Sequence, residues 1–257
     1  MVVADLHVHT TRSDGTLAFE DVPRAARQAG VEAVALTDHD RLQPALDDAV
    51  AVHDGVILVH GIELRVDAVE QRLDLLGYGV KLTDALVETC KRIQQSRIER
   101  GRAIIERVEE RLGVSLPVEP RAGLGRPHIA RAIADVSKYD FEGAFEHLIG
   151  DDGPCYVPRE IPSFEQGRDV LTDACGLVGL AHPLRHDDPA AALARCETLD
   201  AVERAYPYGH SADRAPVDAA IERFDLVPTG GSDAHGKRLG LDDLDATEWD
   251  RVRANIQ

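Results

Sequence analysis

Asp5-Leu6-His7-Val8-His9-Thr10-Thr11-Arg12-Ser13-Asp14-Gly15 is the stretch on which the reading of this chain turns. The apolar run from Met1 to Val8 predicts a buried strand. Strand side chains alternate between faces, so His7 and His9 point the same way. Ser13-Asp14-Gly15 then predicts a turn. Two imidazoles on one face, with a carboxylate at the strand exit, make half of a metal site. The same placement recurs at Leu36-Thr37-Asp38-His39-Asp40, Gly61-Ile62-Glu63-Leu64 and Gly231-Ser232-Asp233-Ala234-His235. Each sets His, Asp or Glu just after an apolar run that ends in an expected turn. The recurrence marks a metalloenzyme.

Working outward, the first 80 residues alternate strand and helix. Val2–His9, Ala33–Thr37, Val56–His60 and Leu73–Val80 read as strands; Phe19–Ala29, ending at the helix-stopping Gly30, and Pro44–His53 read as helices. Short apolar strands spaced by helices imply a parallel sheet, open or closed. From Thr83 the pattern becomes helical: Ala85–Leu112, a Pro- and Gly-punctuated loop, a helix from Ile129 and another over Phe141–Leu148. Strands resume at Gly176–Leu180, Ala201–Glu203 and Leu226–Thr229. The expected organisation is a barrel-forming core over 1–81 and 159–257 with a helical subdomain inserted at 82–158.

Composition narrows the function classes. No apolar stretch approaches the ~20 residues a membrane span needs, and candidate ligands beginning at His7 leave no room for a removable leader, so a cytoplasmic protein is expected. The four cysteines, Cys90, Cys155, Cys175 and Cys196, are far apart with no metal-ribbon spacing, which suits buried thiols in a reducing compartment. The net charge is −17; only 4 of 29 basic residues are Lys, and 28 of 46 acids are Asp. An acidic, Arg-over-Lys surface is favoured at high salt, where self-repulsion is screened, so a halophilic host is expected. The acidity argues against a broad nucleic-acid surface.

Ligands in parallel α/β folds gather at the carboxyl ends of strands. His7, His9, Asp14, His39, Glu63, His182 (in Leu180-Ala181-His182-Pro183), Asp233 and His235 all fall at such ends in this reading. Imidazoles and carboxylates without thiolates suit Mn²⁺ first, with Zn²⁺, Fe²⁺ or Mg²⁺ as alternatives. So many ligands exceed the needs of one ion and suffice for two or three bridged by carboxylates, the arrangement that clamps a phosphate and activates water.

These motifs, in this order from residue 5 to 235, resemble the polymerase and histidinol phosphatase (PHP) superfamily of metal-dependent phosphoesterases. Gly125-Arg126-Pro127-His128-Ile129-Ala130-Arg131 and Tyr156-Val157-Pro158 further resemble its subgroup of nucleoside 3′,5′-bisphosphate phosphatases and 5′-to-3′ RNA exonucleases, which carries a helical insertion here. The resemblance implies a distorted seven-stranded β/α barrel with metals at its mouth. Carried over by position, His7, His9, Glu63 and Asp233 hold a first metal, Glu63 bridges to a second completed by His182, and Asp14, His39 and His235 hold a third. Where the subgroup has a His before a Leu-Gly-Tyr-like turn, this chain has Asp74 in Leu73-Asp74-Leu75-Leu76-Gly77-Tyr78. That carboxylate adds negative charge to the site and favours Mn²⁺ or Mg²⁺.

The expected activity is hydrolysis of phosphomonoesters on small metabolites by metal-activated hydroxide, with nucleoside 3′,5′-bisphosphates or short RNA 5′ ends first. A histidinol-phosphate-type phosphatase and a non-catalytic PHP module are the alternatives. An amidohydrolase would need a metal-bridging lysine, and Lys81, Lys91 and Lys138 lie at no convincing strand end. Asp233, His39 and His235 stand closest to the chemistry, either histidine being able to protonate the leaving oxygen. Arg126, His128, Arg185 and His210 are candidate substrate contacts, because a guanidinium and a helix N-terminus both suit phosphate. The competing reading of Arg126 and His128 is a helix-entry turn. The partners expected are a small phosphorylated substrate or short single-stranded RNA, with no membrane and no obligatory protein partner.

Overall fold

The computed structural model describes residues 3–208, 212–242 and 244–256. The chain divides into two compact units, Met1–Thr89 with Ile161–Gln257, and Cys90–Glu160. The first is mixed α/β. Its strands are β1 (Ala4–Val8), β2 (Ala33–Leu36), β3 (Val50–His53), β4 (Val56–Asp67), β5 (Arg72–Tyr78), β6 (Leu177–Leu180), β7 (Ala201–Ala205) and β8 (Val227–Gly230). Seven of them run side by side in the order β1-β2-β4-β5-β6-β7-β8, and β3 pairs only with β4. Past the end of β8 the chain returns to β1: Val8 bridges Ala234, and His9 N donates to Ala234 O at 3.0 Å. The two ends of the curled sheet thus meet beside the histidine strand.

Two elements depart from the sequence reading. The expected helix Pro44–His53 is a set of turns followed by β3, an antiparallel partner of β4. Asp54 (φ 48°) and Gly55 (φ 80°) form the two-residue connection, and left-handed dihedrals at both positions suit a tight hairpin. An Asp-Gly pair between two valine-rich runs is a stronger local signal than the helical period that competed with it. The sheet is also not wholly parallel. β5 pairs antiparallel with both β4 and β6, because four residues between Asp67 and Arg72 cannot make a crossover. The β5 reversal brings the start of that strand to the end of the sheet where the parallel strands finish.

β4 is longer than expected, and its two halves have different partners. Ile57–His60 pair parallel with β2 and Gly61–Asp67 antiparallel with β5, so Glu63 lies within a strand and not in a turn after one. Alternation sets Val59, Glu63 and Arg65 on one face of β4, Asp74, Leu76 and Tyr78 on one face of β5, and Ala201 and Glu203 on one face of β7. Val59, Leu76, Tyr78 and Ala201 belong to a single buried apolar cluster. The carboxylates therefore extend the same faces that the core occupies. A second apolar cluster packs the helix Val22–Ala29 against the sheet through Val22, Ala26, Val34, Leu36 and Leu58. That helix stops at Gly30, whose φ of 76° reverses the chain.

The unit Cys90–Glu160 holds most of the helix Asp84–Leu112, the helix Arg126–Val136 and the short helix Phe141–Ala144, which runs into a wider turn over Phe145–Ile149. It has its own core of Ile104, Val108, Leu124, Ile129, Ile133, Leu148 and Ile149. Its first boundary falls inside the continuous helix Asp84–Leu112. Among the described residues no helix is long and apolar enough to cross a membrane.

Candidate metal centre

The ends of β1, β2, β6 and β8, the middle of β4 and the start of β5 deliver nine side chains to one place. His9, Asp14, His39 and His235 form one set able to hold an ion; His7, His9 and Glu63 form another; Glu63, Asp74 and His182 form a third. Asp233 Oδ1 lies 3.5 Å from His7 Nε2 and 3.1 Å from His9 Nε2. Glu63 is central: Oε1 is 3.1 Å from His182 Nε2, and Oε2 is 2.7 Å from His39 Nδ1 and 3.4 Å from His9 Nε2. His9 is shared between two sets, which the positional carry-over did not anticipate. Backbone strain marks the same place. His182 (φ 28°) and Asp233 (φ 47°) adopt left-handed dihedrals without being glycine, a cost typical of functional positions.

The donor set fits divalent cations. His7 Nε2, His9 Nδ1, His9 Nε2, Asp14 Oδ1, Glu63 Oε2 and His182 Nδ1 are buried without a properly directed hydrogen bond. Leaving so many polar atoms in that condition is costly unless a cation satisfies them. The carboxylates are held ionised, while against burial Glu203, Asp233 and Glu63 raise His7 well above the ordinary imidazole value, so a cation bound there displaces a proton. Burial alone would raise the pKa of Glu63, but His39, His7 and the His182 hydrogen bond lower it well below the ordinary glutamate value. Asp14 and Asp233 are lowered in the same way against burial, by the histidines around them. His9 is lowered by burial and by the neighbouring His39, which keeps its imidazole neutral, the form that ligates.

A ring of buried residues orients these ligands. Glu203, fully buried on β7, accepts from His7 Nδ1 at 2.9 Å and from His182 N at 2.6 Å. With its Nδ1 so engaged, His7 turns Nε2 to the centre. Asp38 accepts from Thr10 and Ser13 through both backbone and hydroxyl, which fixes the loop carrying Asp14. Asp5 does the same for the β8 exit, accepting from Ser232 N, Ser232 Oγ and Gly240 N. Sequence reading missed Glu203 because it is a lone acid within a strand, and missed the role of Asp5 because its partners Ser232 and Gly240 lie 227 and 235 residues on.

Asp74 requires a correction. Its two oxygens accept from the Arg65 guanidinium, Nε to Oδ1 at 2.7 Å and Nη2 to Oδ2. The carboxylate is thus paired inside the protein and adds no net charge by itself. Of the candidate substrate contacts, Arg185 is beside the centre: its Nη1 donates to Tyr206 Oη and to Asp233 Oδ2, the latter at 3.3 Å. Arg126 lies in the helical unit, donating to Ile149 O at 3.1 Å and pairing with Asp151, with its guanidinium over the Tyr156 and Phe145 rings. His128 Nδ1 accepts from Gly125 N at 3.1 Å, a helix-entry contact. His210 lies outside the described residues.

Residues 5–150 match the family description "PHP domain". The chain belongs to the PHP family. Phosphoribosyl 1,2-cyclic phosphate 1,2-diphosphodiesterase of Eggerthella lenta is 33% identical across 92% of this chain and 95% of its own length. The 5′-3′ exoribonuclease Rnm of Escherichia coli is 28% identical, over 91% of this chain and 85% of its own. The 3′,5′-nucleoside bisphosphate phosphatase of Chromobacterium violaceum is also 28% identical, over 96% and 92%. A provisionally assigned metal-dependent phosphoesterase from Bifidobacterium adolescentis shares the fold, with a TM-score of 0.80 at 23% identity over 99% of this chain and 96% of that one. This PHP protein is therefore a phosphoesterase, a hydrolase of phosphate ester bonds.

Proposed function

We propose that this PHP protein hydrolyses phosphate esters carried on ribose, with nucleoside 3′,5′-bisphosphates or the 5′ ends of short RNAs as substrates. The observation that carries this reading is the set of named relatives. All three act on phosphate esters of ribose compounds, and each aligns with nearly the whole chain. Two or three divalent ions, Mn²⁺ first, fit the nine donors; when bound they polarise the phosphate and supply activated water. The chain's own groups do the remainder. Glu63 and Asp233 hold the imidazoles in place through charge. Arg185, more than half exposed beside Asp233, can fork onto a phosphate oxygen. His235 is 39% exposed with Nε2 3.4 Å from Asp14 Oδ1. Burial lowers its proton affinity, but the Asp14 hydrogen bond and the charges of Asp233 and Asp14 raise it overall, so an ion held at His235 would displace a proton. The wide sequence spacing of Cys90, Cys155, Cys175 and Cys196 favours a reducing compartment such as the cytoplasm.

In this reading the fork of Arg185 onto a phosphate oxygen is the charged contact to the substrate. A charge-assisted pair of this kind contributes roughly 1.5–3 kcal/mol, about a tenfold to hundredfold effect. A second substrate class, a five-membered cyclic phosphodiester on ribose, is favoured by the 33% identical relative. The test is kcat/KM of the Mn²⁺-loaded protein on a 3′,5′-bisphosphate, a 5′-phosphorylated ribo-oligonucleotide, a ribose 1,2-cyclic phosphate, histidinol phosphate and p-nitrophenyl phosphate. The first two should exceed p-nitrophenyl phosphate at least tenfold. Preference for the cyclic diester selects the second class, and preference for histidinol phosphate rejects both.

A further inference from the structure

Cross-strand register places Arg65 of β4 directly opposite Asp74 of β5. The guanidinium engages both carboxylate oxygens, while Arg65 N donates to Asp40 Oδ1 at 3.1 Å and anchors the strand from its other side. Asp74 is 2% exposed, so it has little freedom to turn elsewhere. Its Oδ2 is also 3.7 Å from His182 Nε2, and Glu63, Asp74 and His182 together form one of the three ion-holding sets. A single carboxylate therefore faces a fixed cation on one side and an ion position on the other. The other two sets are less burdened. Among the described residues no cation other than imidazole pairs with His7, His9 or Glu63, and Asp233 beside them meets Arg185 through one 3.3 Å contact from a side chain 55% exposed, which solvent screens. Asp14 lies among imidazoles alone in the ion pairs it makes.

We propose that Arg65 is the built-in counter-charge of the Glu63–Asp74–His182 position, making it the weakest cation site of the centre and the one that exchanges with solution. The proposal rests on reading those three residues as an ion position. A guanidinium fixed against the ligand repels a divalent ion strongly in a buried site, and this outweighs the small gain from holding the Asp74 rotamer. Arg65 and Asp74 then act as one neutral ligand, electrically equivalent to an imidazole, while keeping an oxygen donor.

The experiment is Mn²⁺ titration of the ion-stripped full-length chain by calorimetry, with metal analysis after desalting. It compares the wild type with Arg65→Gln, Arg65→Lys and His182→Ala. Arg65→Gln should tighten the weakest Mn²⁺ step by about tenfold or more and retain that ion on desalting. Arg65→Lys, which keeps the charge and loses the fork, should stay within a few-fold of wild type. His182→Ala should abolish the same step. An unchanged or weakened step in Arg65→Gln, with His182→Ala still abolishing it, overturns the role of Arg65. If His182→Ala leaves every step intact, no ion sits there, and the ion-position reading falls along with the proposal. Should Arg65→Gln not fold without ions, it is folded in Mn²⁺ and ion loss to EDTA is followed. Loss slower than wild type supports the proposal; equal or faster loss overturns it.

Discussion

A carboxylate buried as completely as Glu203 must be satisfied on every side, and its two oxygens accept from His7 Nδ1 and His182 N. An amide cannot accept from both, since one end of it is a donor. Glu203→Gln should therefore weaken Mn²⁺ binding about tenfold to hundredfold, the usual effect of losing a partner of a metal-ligating His. Metal analysis after dialysis checks this, and full retention would mean that His7 is oriented by other means. His60 offers a pH test separate from the ligands. It is 1% exposed, and its Nε2 accepts from Gln43 N at 3.2 Å. Burial, opposed by the charge of Asp47, lowers its pKa to about 4. Above the ordinary value of 6.5 it is neutral in both folded and unfolded chains. As pH falls from about 6.5 toward 4 only the unfolded chain takes up the proton, so stability is lost across that window, by at most about 3 kcal/mol. His60→Gln should flatten that part of the profile in denaturant unfolding at pH 7 and pH 4.5; an identical pH dependence would show that His60 does not contribute. The residues gathered at the centre were legible because most of them sit in short motifs with a turn-forming or glycine residue close by. Glu203 and Asp5 were not, because their meaning lies in partners far away in sequence; Arg65 was not, because its pairing with Asp74 depends on the cross-strand register of β4 and β5.

At the scale of elements, the chain's own punctuation decided what could be read. Strands β1, β2, β6, β7 and β8 are short apolar runs with clear stops, and each was expected within one or two residues at its ends. The β3–β4 hairpin was missed because Val50-Ala51-Val52-His53 is too short to show a period, although Asp54-Gly55 carried the signal. The direction of β5 was hidden for another reason: alternation tells which face a residue occupies, never which way its strand runs. That direction matters here, since it alone brings Asp74 to the metal end. One close approach bears directly on the ligand strand. A Cβ added at Gly231 would lie 2.4 Å from His7 N and 2.5 Å from His7 Cβ, so the exit of β8 and the ligand strand fit only with no side chain between them. Gly231→Ala should push β1 away and cost about 1–3 kcal/mol of stability. Mn²⁺ retention should fall with it. A variant of wild-type stability that keeps its ions would show that the two segments can part without harm.

For the whole molecule, charge is distributed unevenly between the units. The unit Cys90–Glu160 contains 12 basic and 12 acidic residues, so the net charge of −17 belongs to the rest of the chain. Raising ionic strength from about 0.1 M to 1 M shortens the screening length from about 10 Å to 3 Å, and self-repulsion should weaken accordingly. The Tm is expected to rise by several degrees in KCl over that range; a flat or falling Tm would remove the salt-adaptation reading. The closure of the sheet has a consequence in time as well as in space. Ser232 meets Asp5 across 227 positions of sequence, and Glu203 meets His7 across 196. During synthesis His7 and His9 emerge early and wait, unable to find Asp233 until most of the chain exists. Contacts this remote form late in folding. Ion capture therefore records the completion of the fold: a chain that holds its full complement has already joined its two ends, and one stalled short of that step falls short of it.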